Sequence, residues 1–174
     1  GQPFPCTLIE IRRADGNICA PDEVGELYSR SPYLFNGYWG RPEETAETYR
    51  DGWVTVGDLA RQDAEGHLYI VDRLKDMVIS GGVNIYPREV EEVIFRHPEV
   101  ADVALIGVPD ERWGEVLKAF VVRRAGSSLD AATLVAALEG QISRMKLPKY
   151  VEFIAQIPRN ASGKVLKTAL RARG

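Results

Sequence analysis

VDRLKDMVISGGVNIYPREVEEV, residues 71–93, joins two parts of the chain that differ in pattern. Two short apolar runs lead into Gly81 and Gly82, a pair that tolerates backbone conformations closed to other residues. Pro87 then suits the first turn of a helix, and the acidic residues that follow it complement the positive end of a helix dipole. Val90 begins a set of apolar residues at helical spacing. The stretch therefore predicts a flexible break followed by an amphipathic helix.

The part of the chain before this stretch has the pattern of a small β-rich unit. Short apolar runs at residues 7–12, 27–30 and 67–71 alternate with turn signals such as the Asp-Gly-Asn at 15–17. One short helix is expected from Pro42 to about Tyr49. We expect Tyr38 and Trp39, just before that helix, to be packing residues of the unit.

The part after the stretch mixes helices with longer strands. We predict a helix from Pro87 to about Arg96, a strand at 100–108 that ends at Pro109, and a central strand at 116–123. A further helix should be capped by Asp130 and run to about Arg144, and a last one should contain residues 165–170. The fold class is therefore α+β: a small β-rich subdomain, then a compact α+β domain with a small mixed sheet and about three helices.

Composition places the chain among ordinary globular proteins and excludes several functional classes. With 45% hydrophobic and 27% charged residues, its 174 residues can form a substantial core. The net charge of −3 gives no electrostatic case for nucleic acid as a partner. Two cysteines are too few for a disulfide framework, and no apolar run could form a transmembrane segment. We therefore expect a cytoplasmic protein with no metal site of its own.

Four motifs, in one order, resemble the AMP-forming acyl-CoA synthetases of the adenylate-forming superfamily. Besides residues 71–93, they are GELYSRSPYLFNGYWGRPEET at 25–45, DGWVTVGDLA at 51–60 and PRNASGKVLKTALR at 158–171. The resemblance covers essentially the whole chain. It implies that residues 1–74 are the last, β-rich part of a large N-terminal adenylation domain. Residues 75–174 would then be the mobile C-terminal domain of such an AMP-binding enzyme.

The resemblance assigns nucleotide binding to Asp58 and Arg73. Asp58 matches the aspartate that holds the ribose hydroxyls of AMP, and a carboxylate can accept two hydrogen bonds from a diol. Arg73 matches a nucleotide-contacting arginine, whose planar donor fork suits ribose and phosphate oxygens. Without the resemblance, Asp58 would be a turn aspartate, and Arg73 would pair with Asp72 or Asp76.

The resemblance also assigns a catalytic lysine and a hinge. Lys164 lies in a Ser-Gly-Lys loop that we expect at the start of the last helix, and it matches the family's catalytic lysine. A lysine there would stabilise charge that develops between a carboxylate and the α-phosphate. Lys75 matches the hinge about which the C-terminal domain rotates between the two half-reactions. From the residues alone, either lysine would be an ordinary surface residue.

Three further positions are implied to bind CoA. Gly82 matches the residue that lines the pantetheine tunnel, and Gly81 beside it permits close backbone approach. Trp113 matches a tryptophan that can stack on the CoA adenine in related enzymes. The alternatives are an ordinary turn for the glycines and a surface-packed loop residue for the tryptophan.

The sequence lacks the phosphate-binding loop and the Thr-Glu motif of a complete enzyme of this family. We therefore expect about the last third of an acyl-CoA ligase that activates a carboxylic acid, with a fatty acid favoured, as acyl-AMP and transfers it to CoA. ATP and Mg²⁺ would bind mostly to the absent domain, CoA is the co-substrate, and the fragment alone should be inactive. The alternatives are an adenylation domain of a peptide synthetase or luciferase-like enzyme, and a non-catalytic interaction module of the same fold.

Overall fold

A computed structural model describes residues 1–173, which form two compact units. The first unit is Gly1–Lys75 and the second begins at Asp76. Together they contain four α-helices and two small sheets, which confirms the predicted α+β class.

The first unit is built on a six-stranded antiparallel sheet. Its strand order is β3-β4-β2-β5-β6, and β1 pairs with β2 beside that path. Its strands are β1 (Leu8–Arg12), β2 (Gly25–Arg30), β3 (Tyr49–Arg50), β4 (Trp53–Val54), β5 (Asp58–Gln62) and β6 (Leu68–Arg73), and its helix is α1 (Pro42–Thr48). The central strands carry the buried side chains, such as Tyr28 and Ala60. The expectation for Trp39 is wrong, because this side chain is fully exposed at 101%.

The second unit is built on a mixed five-stranded sheet around one long strand. Its strands are β7 (Val78–Ser80), β8 (Val83–Ile85), β9 (Val100–Asp110), β10 (Gly114–Arg123) and β11 (Tyr150–Phe153). Along one edge β10 pairs with β9, and along the other it pairs with β7 and then with β11. Only the β10–β11 pair is parallel among the described strands.

Helices cover both faces of this sheet because apolar residues occupy both faces of β9 and β10. Leu105 and Leu117 belong to the core shared with α2 (Pro87–Phe95) and α3 (Ala131–Leu138). Phe120 faces the other way, against Leu170 of α4 (Lys167–Arg171). All four of these side chains are almost completely buried, and each contributes about 1.5–3 kcal/mol of hydrophobic stabilisation.

Three predicted boundaries are wrong. Helix α3 ends at Leu138 rather than near Arg144, because Gly140 takes a left-handed conformation with φ of 81° just after the helix. Strand β9 continues through Pro109, which an edge strand tolerates because its outer side needs no N–H donor. Helix α4 begins at Lys167, so Lys164 lies three residues before the helix rather than at its start.

Candidate functional site

Asp58 and Arg73 lie directly opposite each other on neighbouring strands of the first unit. Asp58 begins β5 and Arg73 ends β6, and the two residues are register partners. Arg73 Nε lies 3.0 Å from Asp58 Oδ1, and Arg73 Nη2 donates to the carbonyl of Val56 at 2.7 Å. The Nε is buried and its contact with Asp58 is an ion pair without hydrogen-bond geometry. The fold therefore brings the two predicted nucleotide-binding residues together, and the Arg73 side chain pairs with Asp58.

The two glycines of the quoted stretch form the two-residue turn of the β7–β8 hairpin. Gly81 and Gly82 have φ values of 56° and 81°, the signs that a type I′ turn requires at both central positions. A Cβ atom on Gly82 would have no neighbour within 4 Å, so this position opens onto clear space. The turn is thus an ordinary hairpin in its backbone, but one with an unobstructed outer surface at Gly82.

Gly81 packs directly on Trp113. Its N–H donates to the Trp113 carbonyl at 2.8 Å, and a Cβ on Gly81 would lie 2.7 Å from Trp113 Cε3. The indole remains 41% exposed, and the Arg112 guanidinium lies 4.9 Å from its ring. The structure therefore brings together all three residues that the sequence assigns to CoA binding.

A cavity of about 250 Å³ lies beside the Trp113 indole. Its wall combines an aromatic ring, aliphatic side chains and two cations, and is formed by Ser80, Trp113, Val116, Leu117, Arg144, Met145, Leu147 and Lys149. This combination suits a ligand with a flat ring and negative charge, because the ring can stack and the charge can pair with the cations. Met145 was not identified from the sequence. Arg144 and Lys149 belong to a basic cluster near the C-terminus, which the sequence leaves open as a solvated face or an anion-facing surface.

Asp110 links two sides of this cavity. Its Oδ1 accepts the backbone N–H groups of Arg112 and Trp113, each at 3.0 Å, and its Oδ2 accepts a very short hydrogen bond from Lys149 Nζ. The Lys149 ammonium, followed by the two backbone donors, holds the pKa of Asp110 below its usual value. The same hydrogen bond raises the pKa of Lys149. The Asp-Glu-Arg-Trp-Gly sequence is a turn signal, and it could have identified Asp110 as an acceptor for backbone N–H groups. It contains no signal for the pairing of Asp110 with Lys149.

Lys164 lies on a separate, tightly closed loop of the second unit. Asn160 Oδ1 accepts the N–H of Ser162 at 3.1 Å, its hydroxyl at 2.8 Å and the N–H of Lys164 at 2.9 Å. Arg159 donates to the Gly163 carbonyl at 2.9 Å. No described hydrogen bond or ion pair occupies the exposed Lys164 ammonium. The loop therefore fixes the lysine backbone while its cationic end extends into solvent.

Lys75 lies in a short 3₁₀-helix, Leu74–Asp76, and is exposed. It is the last residue of the first unit. Across residues 1–173, no cluster of three or more His, Cys, Asp or Glu side chains could hold a metal ion. Helices long and apolar enough to cross a membrane are also absent from that range.

Comparison with known proteins identifies part of the chain. Residues 89–164 match the model of the AMP-binding enzyme C-terminal domain. This part of the chain is similar to that domain.

Relatives and solved structures match nearly the full length of the chain. It is 48% identical to feruloyl-CoA synthase from an Amycolatopsis species, covering 99% of this chain and 35% of that protein. It is 43% identical to the long-chain-fatty-acid–CoA ligase of Bacillus subtilis, covering 98% of this chain and 30% of that protein. The structure of ATP-bound MatB from Rhodopseudomonas palustris superimposes with a TM-score of 0.92 at 38% identity, covering 99% and 35%. The chain thus spans about a third of the length of the relatives it matches.

Proposed function

We propose that this chain is the C-terminal part of an AMP-forming acyl-CoA ligase. The complete enzyme would join a carboxylic acid to ATP as acyl-AMP, releasing pyrophosphate, and then pass the acyl group to the CoA thiol, releasing AMP. The observation that carries the proposal is the cavity beside Trp113, where a stacking ring, two cations and the open glycine turn adjoin one another. CoA offers the matching chemistry, because it has an adenine ring, phosphates and a slender thiol arm.

The first unit would supply part of the nucleotide site. We assign Asp58 to the ribose hydroxyls of AMP, because a carboxylate can accept a hydrogen bond from each hydroxyl. Arg73 would present its remaining guanidinium donors to ribose or phosphate oxygens while its ion pair holds the carboxylate in place. This division of roles requires both residues at the same end of the sheet, in agreement with their pairing as register partners of β5 and β6.

Lys164 would act in the first half-reaction. Attack of the carboxylate on the α-phosphate concentrates negative charge between the two groups, and a nearby ammonium lowers the energy of that arrangement. Because no described carboxylate neutralises the Lys164 ammonium, its full charge is available to the substrates. The hydrogen-bonded loop limits the positions from which the side chain extends, so less ordering is needed when substrates bind.

The turn at Gly82 and the Trp113 cavity would act in the second half-reaction. The pantetheine arm can pass Gly82 closely because no side chain stands there. The adenine would stack on the exposed indole, and Arg144 and Lys149 would pair with phosphate oxygens. This arrangement would hold the thiol donor by its distal end, leaving the sulfur at the tip of the arm to react.

The domain assignment follows from the same proposal. Residues 1–74 would be the end of the N-terminal adenylation domain, and residues 75–174 the C-terminal domain that rotates about Lys75 between the half-reactions. Mg²⁺ would enter with ATP and be held mostly outside this chain. We specify the acyl substrate only as a carboxylic acid, because one relative is named for a feruloyl group and another for long-chain fatty acids. A cytoplasmic location stays a prediction.

The proposal is tested in the full-length protein with two separate assays. Pyrophosphate exchange measures acyl-AMP formation, and thioester formation from preformed acyl-AMP measures transfer to CoA. Lys164→Ala should lower the exchange rate by about 10²–10³-fold, as expected for loss of one electrostatic stabiliser, and should affect the transfer rate much less. Arg124→Ala, which removes an exposed cation that the proposal does not use, is the control. Equal losses in both assays, or a wild-type protein that makes no CoA thioester, would refute the proposal.

A further inference from the structure

Asp110 has a carboxylate that is largely shielded from solvent and that the proposed reaction does not use. It is the last residue of β9, and only 6% of its side chain is exposed. Both carboxylate oxygens are engaged, Oδ1 by the Arg112 and Trp113 N–H groups and Oδ2 by Lys149. A charged group this enclosed is stable only when its partners are well placed.

The contacts of Asp110 fix the backbone of Trp113 from one side. The Trp113 N–H donates to Asp110, and the Trp113 carbonyl accepts from Gly81. The indole lies against Gly81, where a Cβ would overlap it. The peptide groups on both sides of Trp113 are therefore hydrogen-bonded, which fixes the backbone from which the indole extends.

The same carboxylate orients Lys149 on another side of the cavity. The Lys149 N–H donates to the Leu117 carbonyl at 2.9 Å, which fixes its backbone, and the Asp110 hydrogen bond fixes its ammonium. An ammonium has three donors, so the bond to Asp110 does not use its full donor capacity. The side chain is 48% exposed, so the ammonium can reach a ligand at the cavity rim.

We propose that Asp110 is a positioning residue for the thiol co-substrate: it sets Trp113 and Lys149 in the geometry that receives the adenine and phosphates of CoA. This inference rests on the proposed function. Asp110 does not touch the ligand itself; it acts by removing the freedom of the two side chains that do. Preorganised groups lose less conformational entropy on binding, so Asp110 should lower the KM for CoA without contributing to acyl-AMP formation.

The test uses the full-length enzyme with Trp39→Phe and Trp53→Phe, and with any tryptophan outside residues 1–174 also replaced by Phe, so that the fluorescence comes from Trp113 alone. Asp110→Asn retains an oxygen acceptor for the two N–H groups but loses the charge that holds Lys149. Asp110→Ala loses both. We expect the KM for CoA to rise about 3-fold in Asp110→Asn and about 10-fold in Asp110→Ala, with pyrophosphate exchange unchanged in both. Acrylamide quenching of Trp113 should increase in Asp110→Ala and stay near wild type in Asp110→Asn.

The outcomes separate this inference from the proposed function. If the wild type forms CoA thioester but both variants keep its KM for CoA, the inference alone is overturned. Parallel loss of pyrophosphate exchange and CoA turnover would also overturn it, because that would mark a general structural role. A wild type that forms no CoA thioester overturns both. Should Asp110→Ala not fold, the KM of Asp110→Asn decides the question.

Discussion

Alanine substitutions at Gly81 and Gly82 form a matched pair that tests the packing of the glycine turn on Trp113. The two positions have similar backbones, with φ values of 56° and 81°, so alanine is strained at both. Their surroundings differ. A Cβ on Gly81 would lie 2.7 Å from Trp113 Cε3 and 3.0 Å from Cζ3, whereas one on Gly82 would have no atom within 4 Å.

The expected losses of stability follow from two contributions, the backbone strain of a positive φ and the overlap of a Cβ with the indole. Positive φ costs alanine about 1–2 kcal/mol, partly offset by the lower entropy of the unfolded chain, so Gly82→Ala should destabilise by about 1 kcal/mol. At Gly81 the indole would also have to move by about 0.7 Å, from 2.7 Å to the 3.4 Å of ordinary contact. Overpacking of this kind costs about 1–3 kcal/mol, which predicts a total of about 2–4 kcal/mol for Gly81→Ala.

Urea denaturation, followed by Trp113 fluorescence with the other tryptophans replaced, measures both variants. Gly81→Ala should have the lower midpoint and a red-shifted native emission, because the displaced indole meets more water. Combining Gly81→Ala with Trp113→Ala, followed by circular dichroism, should reduce the penalty to that of Gly82→Ala. Equal midpoints for the two single variants would refute the packing argument, as would a Gly81 penalty that persists without the indole.

Three other predictions concern the remaining contacts. Because Lys149 lowers the pKa of Asp110, the Asp110–Lys149 pair stabilises the fold at pH values above the unfolded pKa of 3.8, and this stabilisation is lost as pH falls through the folded pKa. The difference in Tm between wild type and Asp110→Asn at pH 7 should therefore disappear only in acid. A difference that does not change with pH would contradict this prediction. Arg73→Met in the full-length protein should weaken AMP binding about 10-fold by calorimetry, with Arg61→Met as the surface control; similar affinities for the two variants would exclude the nucleotide role. Asn160→Ala removes one oxygen that accepts three hydrogen bonds and should slow pyrophosphate exchange about 10-fold. Asn160→Asp retains the acceptor and should slow the exchange less. A larger loss of exchange rate in Asn160→Asp than in Asn160→Ala would show that this oxygen does not position the loop.

Local sequence signals predicted the elements whose boundaries depend on local chemistry. Pro87 at the first turn and the apolar spacing after it place α2 within a residue of its observed end. The nearly continuous apolar run at 116–123 has buried side chains on both faces, as such a run predicts. In each case the element is determined by interactions within the segment, or by burial that does not depend on which apolar residues surround it. The sequence of the segment is therefore enough to predict the element.

The wrong predictions and the missed contact occur where the local structure depends on the tertiary context of the segment. Ile142 has helical spacing and packs on the core, yet Gly140 has already ended α3, so the same periodicity is satisfied outside a helix. Pro109 would end a central strand but is accommodated on an edge, and its sequence does not reveal which edge β9 occupies. The Asp110–Lys149 pair joins residues 39 apart in sequence, and only the register of β11 on β10 brings them together.

The topology of the second unit explains why the candidate CoA residues meet at one end of its sheet. Strand β10 begins just after Trp113, and β11 runs parallel to it and begins just after Lys149, so both residues precede strands that start at the same end. Strands β7 and β9 run antiparallel to β10, so their last residues, Ser80 and Asp110, arrive at that end too. In its middle, the sheet is covered by helices on both faces. The strand ends are where backbone groups and charged side chains can converge without disturbing the core. There Asp110 accepts hydrogen bonds from the Trp113 N–H and the Lys149 ammonium, and both residues lie just outside the strands that follow them.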